Sequence, residues 1–178
     1  MAPWFWSRPL LPPERAFVRQ HFGAALDAQL PGLRIYLRRV GDTRRALSLN
    51  GGRISMPRIC FVAGDPRQPL RLTHAQIAGI FAHELLHQWQ RVQGQAVTRQ
   101  ALWLQLRHLC GGRCPYAYAR CSDAQLMHET FLQSQVEQQG QIWEDHVRAC
   151  IAGATAAEFA RIAAHVRGDQ PEDGERSA

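Results

Sequence analysis

The chain has 178 residues, 46% of them hydrophobic, with a formal net charge of +6 and a pI near 9.6. That length and apolar content suit one domain with its own core, and no stretch approaches the ~18 apolar residues of a membrane span. The positive excess rests on scattered arginines, with Arg38-Arg39 and Arg44-Arg45 the only doublets. Without a basic stripe interleaved with aromatics, nucleic acid is not the expected partner.

The opening MAPWFWSRPLLPPER lacks the uninterrupted apolar run of a secretory signal, because Ser7, Arg8 and the prolines break it. A cytoplasmic product is expected, and export by a dedicated machine would leave no such mark. Residues 1–9 read as an N-terminal extension whose Trp4, Phe5 and Trp6 could dock on the body or on a partner. Pro12 and Pro13 open a short helix that Gly23 ends. Residues 33–40 alternate as a strand, Ala46 to Leu49 suggest a second, and Asn50-Gly51-Gly52 is a hairpin signal. A third strand is expected from Ile59 to Val62. The next helix should be opened by a capping box of Thr73 and Gln76, with a Leu72–Ile77 staple, and stopped by Gly94 after Val92. Residues 101–109 are ambiguous between helix and strand, and Gly111 to Ala119 read as loop. A long helix should span Ser122 to Ile151, followed by a last helix over Ala156 to Val166. The polar end, residues 168–178, reads as a disordered tail. Strands first and helices later predict an α+β domain over residues 10–167, with a small N-terminal antiparallel sheet and a long C-terminal helix.

Within the capped helix lies His83-Glu84-Leu85-Leu86-His87. Residues four apart share one helix face, about 6 Å apart along the axis, so both imidazoles can bind one Zn²⁺ from the same side. Glu84 cannot easily be a third ligand from its position, but it can reach a water on the metal. Zinc brings that water's pKa towards 7, and the carboxylate takes its proton as it attacks a carbonyl. An incidental cluster in a core helix is the competing reading. It would bury three ionisable groups without a metal, which is costly.

Catalytic zinc has three protein ligands and one open position. A third His six residues after the second is absent, since position 93 is Gln. The long helix offers His128, Glu129, Glu137, Glu144, Asp145 and His146. Glu137 is preferred, because Gly140 one turn on lets the backbone there approach another helix. Glu144 or Asp145, two turns on, could orient a ligand His through its other nitrogen. Trp89 is expected to pack, and Gln90 is a further partner for a ligand.

These blocks resemble a family of bacterial zincin-like proteins encoded near Rhs and Vgr-related components of contractile injection systems. The resemblance rests on LLPPERAFVRQHFGAALD, LRIYL, HELLHQWQRVQG, the pair Tyr116 and Tyr118, and EQQGQIWEDH, and it covers about residues 10 to 150. It implies a zincin-type, peptidase-like active-site helix with His83, His87 and Glu137 as ligands and Glu84 as base. It also implies Asp145 as the partner of a ligand. The chain departs from the pattern at Gly140, where Ala is expected, and over Cys110 to Cys121.

Tyr116 and Tyr118 could donate to an oxyanion, although aromatic packing is the plainer role. Five cysteines in a chain without a signal argue against a disulfide scaffold. Cys110, Cys114 and Cys121, with His108, could hold a second, structural zinc. A loop of reduced thiols, or one disulfide after export, is preferred. Cys60 and Cys150 are expected in the core. The expected function is a zinc-dependent metallopeptidase acting on a protein or peptide. The alternative is a non-catalytic zincin-fold accessory or adaptor module of a secretion system, with that system's components as partners.

Overall fold

A four-stranded sheet forms from the first third of the chain and helices from the rest, so the domain is α+β. In this computed structural model the described residues are 6–109, 111, 114–154 and 156–169. Strand β1 (Ser7–Pro9) and helix α1 (Pro12–Phe22) lead through a 3₁₀ segment (Gly23–Gly32) into β2 (Arg34–Leu37). The hairpin β3 (Leu47–Leu49) and β4 (Arg53–Met56) follows, turning through Gly51 and Gly52 at φ 72° and 73°. Then come α2 (Ala75–Val92), α3 (Val97–Leu109), α4 (Ala124–Gln133), α5 (Val136–Ile151) and α6 (Ala160–Arg167).

The strand order is β1-β2-β4-β3. The outer pairings are antiparallel as expected, but the central β2–β4 pairing is parallel. The hairpin docks through its second strand, and the apolar pattern sets the register. Ile35 pairs with Ile54 and Leu37 with Met56, so all four side chains are buried. β3 is left at the edge. Gly52 is required at this junction, because a Cβ there would stand 2.6 Å from the Gly32 carbonyl oxygen.

Three expectations give way here. Residues 59–62 are not a strand: Pro57 ends β4, and two 3₁₀ turns (Arg58–Cys60 and Val62–Gly64) follow. Ser7–Pro9 are not an extension ahead of the domain but a strand of the sheet. Arg8 is held by Glu14, which is fully buried and accepts from both its terminal nitrogens at 2.6 Å. Glu14 also accepts from the Leu11 and Leu70 amides, at 2.8 and 2.9 Å, so the buried pair is satisfied on all sides. Third, the long helix of 122–151 is two helices. Ser134 and Gln135 are extended (ψ 152° and 161°), and the Gln138 side chain accepts from the Gln135 amide to start α5.

α2 ends as expected, with Gly94 at φ 79°. Its start differs: Thr73 does not cap it, and His74 occupies the N-cap without a side-chain bond. From Phe81 to Gln90 every residue of α2 is buried, so this is the central helix and its polar side chains must find partners inside. Gln88 donates to Ser48 Oγ at 2.6 Å and the Leu49 carbonyl at 2.9 Å, fixing α2 to edge strand β3. On the other side α2 crosses α5 closely at Gly79 and Gly140. No helix among the described residues is long and apolar enough to cross a membrane.

Candidate metal centre

α2 presents His83 and His87 one turn apart, their rings edge to face with centroids 4.9 Å apart. The break before Val136 makes Glu137 the second residue of α5, where the helix dipole also favours a carboxylate. Its Oε2 lies 3.4 Å from His83 Nε2 and 3.7 Å from His87 Nε2. Ligand atoms ~2.1 Å from a tetrahedral zinc stand about 3.4 Å from one another. The three donor atoms here lie within 4.8 Å of one another, so the set fits such an ion. Among the described residues no other three His, Cys, Asp or Glu side chains converge in this way.

Hydrogen bonding fixes which nitrogen of each ring is free to ligate. Gln139 Nε2 donates to the Phe131 carbonyl at 2.9 Å, and Gln90 Nε2 donates to the Val136 carbonyl at 3.1 Å and to Gln139 Oε1 at 2.8 Å. Carbonyl oxygens only accept, so both amides have one orientation. Gln90 Oε1 therefore faces His87 Nδ1 at 2.8 Å, and Nδ1 carries the hydrogen. Glu144 Oε2 accepts in the same way from His83 Nδ1 at 3.1 Å. Both Nε2 atoms face Glu137, and each is the nitrogen that would turn its lone pair to a metal.

The site crowds ionisable groups into a buried space. Glu84, Glu137 and Glu144 are buried together against two imidazoles. Burial alone would lower the His83 pKa, but hydrogen bonds to Glu137 and Glu144 and the nearby carboxylate charges raise it to about 10. Burial pushes Glu84 up, helped by the Glu137 and Glu144 charges and opposed by His83 and His87. Burial would also raise Glu137, yet hydrogen bonds to His83 and His87 hold it well below the usual carboxylate range. Gly140 is part of the cradle: a Cβ on it would stand 2.6 Å from His83 Nε2.

The chain shares its fold with the effector domain of Pseudomonas aeruginosa VgrG2b. The two superpose with a TM-score of 0.64 at 24% sequence identity, over 88% of this chain and 82% of that domain. No family model matches the chain, and no curated protein does. At that identity the likeness to the VgrG2b domain is one of fold.

The other sequence-derived site residues divide. Glu144, not Asp145, bonds His83. Seven residues from Glu137 it returns to nearly the same helix face, whereas Asp145 turns aside and accepts from the Tyr118 hydroxyl at 2.7 Å. Tyr118 is not among the residues that line the cleft. Tyr116 lines the cleft over the histidines, its ring 6.1 Å from that of His83. His128, Glu129 and His146 lie outside the cluster: His128 meets His165, Glu129 meets Gln125, and His146 sits between Trp143 and Phe159. Cys110 lies outside the described residues. Cys114 is exposed and Cys121 is half-buried, both as free thiols. Cys60 is buried as expected, but Cys150 is exposed beside His146.

Sequence reading missed Gln139, whose role depends on the α4–α5 break, and Arg148, which pairs with Glu144. It also missed that Arg38, Arg44 and Arg45 of the two doublets line this cleft, a hollow of about 540 Å³.

Proposed function

We propose that this domain is a zinc-dependent hydrolase that cuts a peptide-like amide bond and serves as an effector of a bacterial injection system. The observation that carries the reading is Glu84. This buried carboxylate stands between the two histidines of a three-ligand set and opens onto the same cleft.

His83, His87 and Glu137 would hold the ion, and zinc, when bound, acidifies a coordinated water and polarises the carbonyl under attack. Glu84 takes the proton from the attacking water as the new carbon–oxygen bond forms. It returns that proton to the amine as the carbon–nitrogen bond breaks. Glu144 and Gln90 keep the imidazoles in the tautomer that leaves Nε2 unprotonated. Leu47, Leu49 and Ile80 give the cleft apolar walls suited to a peptide side chain.

The effector role rests on the shared fold with an effector domain and on the sequence resemblance. That likeness bears more directly on a second reading, a non-catalytic accessory or adaptor module of a secretion system that keeps the fold without hydrolysis. Glu84→Gln separates them. Hydrolysis of a broad peptide mixture by zinc-loaded wild type, followed by mass spectrometry, should fall by at least about a hundredfold in the variant with zinc content unchanged. A zinc-loaded wild type that cuts no peptide would establish the non-catalytic module, and a variant that cuts as well would remove Glu84 from the role of base.

A further inference from the structure

The cleft above the metal centre has an acidic floor and a basic mouth. Arg38, Arg44 and Arg45 come from the β2–β3 connection and Arg91 from the end of α2, and all four line the same hollow as His83 and Glu84. The two doublets that look scattered in sequence thus send three side chains to one rim. None of the four forms a salt bridge with a described residue. Asp42, the one acid of the connection, accepts from the Arg44 amide instead. Arg45 lies over the Tyr116 ring, 5.7 Å from its centroid, which carries its charge to within one ring of His83. Arg91 is anchored by neutral partners, Asn50 Oδ1 at 2.9 Å and Ser48 Oγ at 2.8 Å. Arg44 is exposed with no side-chain bond to any described residue.

Guanidinium groups without carboxylate partners that line one cleft favour carboxylates, which they bind through paired N–H donors. Low-dielectric walls strengthen the field there. The apolar residues between mouth and floor suit a peptide rather than a nucleic-acid backbone. We infer that the cleft selects acidic peptides, a carboxylate at the Arg38–Arg44–Arg45 mouth placing the neighbouring amide over His83, His87 and Glu84. The inference rests on the hydrolase reading for the cutting, not for the binding.

The test therefore separates the two. Zinc-loaded Glu84→Gln is titrated into fluorescein-labelled octapeptides of alternating Ala and Glu, Ala and Lys, or Ala and Gln, and anisotropy is read. The Glu peptide should bind at least about tenfold tighter than the other two, and less tightly as salt rises. Adding Arg44→Glu should remove about tenfold of that affinity, and Arg44→Lys, which keeps the charge but not the paired donors, should restore part of it. Arg44→Ala, which only trims an exposed side chain, guards against misfolding and should remove part. Equal binding of the three peptides, or no loss in Arg44→Ala and Arg44→Glu, overturns the inference. So does a single-stranded oligonucleotide that binds tighter than the Glu peptide through the same arginines. Acidic preference in Glu84→Gln with no cutting of the Glu peptide by wild type would sink the hydrolase reading and leave this one standing.

Discussion

Gly140→Ala is the smallest change that should reach the metal centre. A Cβ at 140 would lie 2.6 Å from His83 Nε2, 2.7 Å from Cε1 and 3.0 Å from Cδ2. Against an ordinary contact of ~3.5 Å the overlap is about 0.9 Å. The ring cannot retreat freely, since Glu144 holds Nδ1 at 3.1 Å and the side chain is buried. Overpacking of this kind costs about 1–3 kcal/mol, offset by about 1 kcal/mol of better helix propensity. Folding of the metal-free variant should therefore change by no more than about 2 kcal/mol. The ligand atom itself must move by close to an ångström. Loss of ligand placement on that scale costs about 10–100-fold in affinity, or about 1.4–2.7 kcal/mol. Zinc affinity measured by competition with a chromophoric chelator, beside a urea melt of the metal-free protein, reads both quantities. Wild-type zinc affinity in a folded Gly140→Ala would refute the close approach of α5 to His83.

Glu144→Gln should weaken zinc about tenfold or more while Asp145→Asn leaves it within about twofold, read by the same competition, because only Glu144 bonds His83. Arg8→Ala should destabilise the fold by about 3–5 kcal/mol in urea melts, since it strands a fully buried Glu14 carboxylate. Acid should destabilise through two histidines. Burial, then the His146 and Arg167 charges, lowers His21 to about 4. Burial, then Arg167, lowers His146 to about 4 against an opposing Glu158. Both stay neutral in the fold and protonate near 6.5 when unfolded, so the unfolded state binds more protons between those values. Stability is then full above about pH 6.5 and falls towards pH 4, by up to ~1.4 kcal/mol per pH unit for each. Melts across that range should be flatter in His21→Phe than in wild type, and equal slopes would contradict the assignment.

What the sequence made legible was local. The His83–Glu84–His87 face follows from helix pitch alone, and Glu137 and Glu144 share a face because seven residues nearly close two turns. The hairpin turn followed from Asn50-Gly51-Gly52, although its second strand, Arg53–Met56, was passed over. The break at Ser134–Gln135 has no Pro or Gly to announce it, so the cap that Gln138 supplies was hidden. Arg8 with Glu14 became visible only once Leu70 was brought beside them. The parallel β2–β4 pairing depends on which hairpin strand docks, and periodicity does not encode that. The basic mouth was likewise invisible, since the connection and the end of α2 meet only in the fold.

The central claim is that His83, His87 and Glu137 hold one zinc ion. Metal content by mass spectrometry on wild type and Glu137→Ala, after dialysis against a mild chelator, tests it most directly. One zinc per wild-type chain and markedly less in a folded Glu137→Ala is the predicted result. A folded wild type without zinc, or equal retention in the variant, would contradict it.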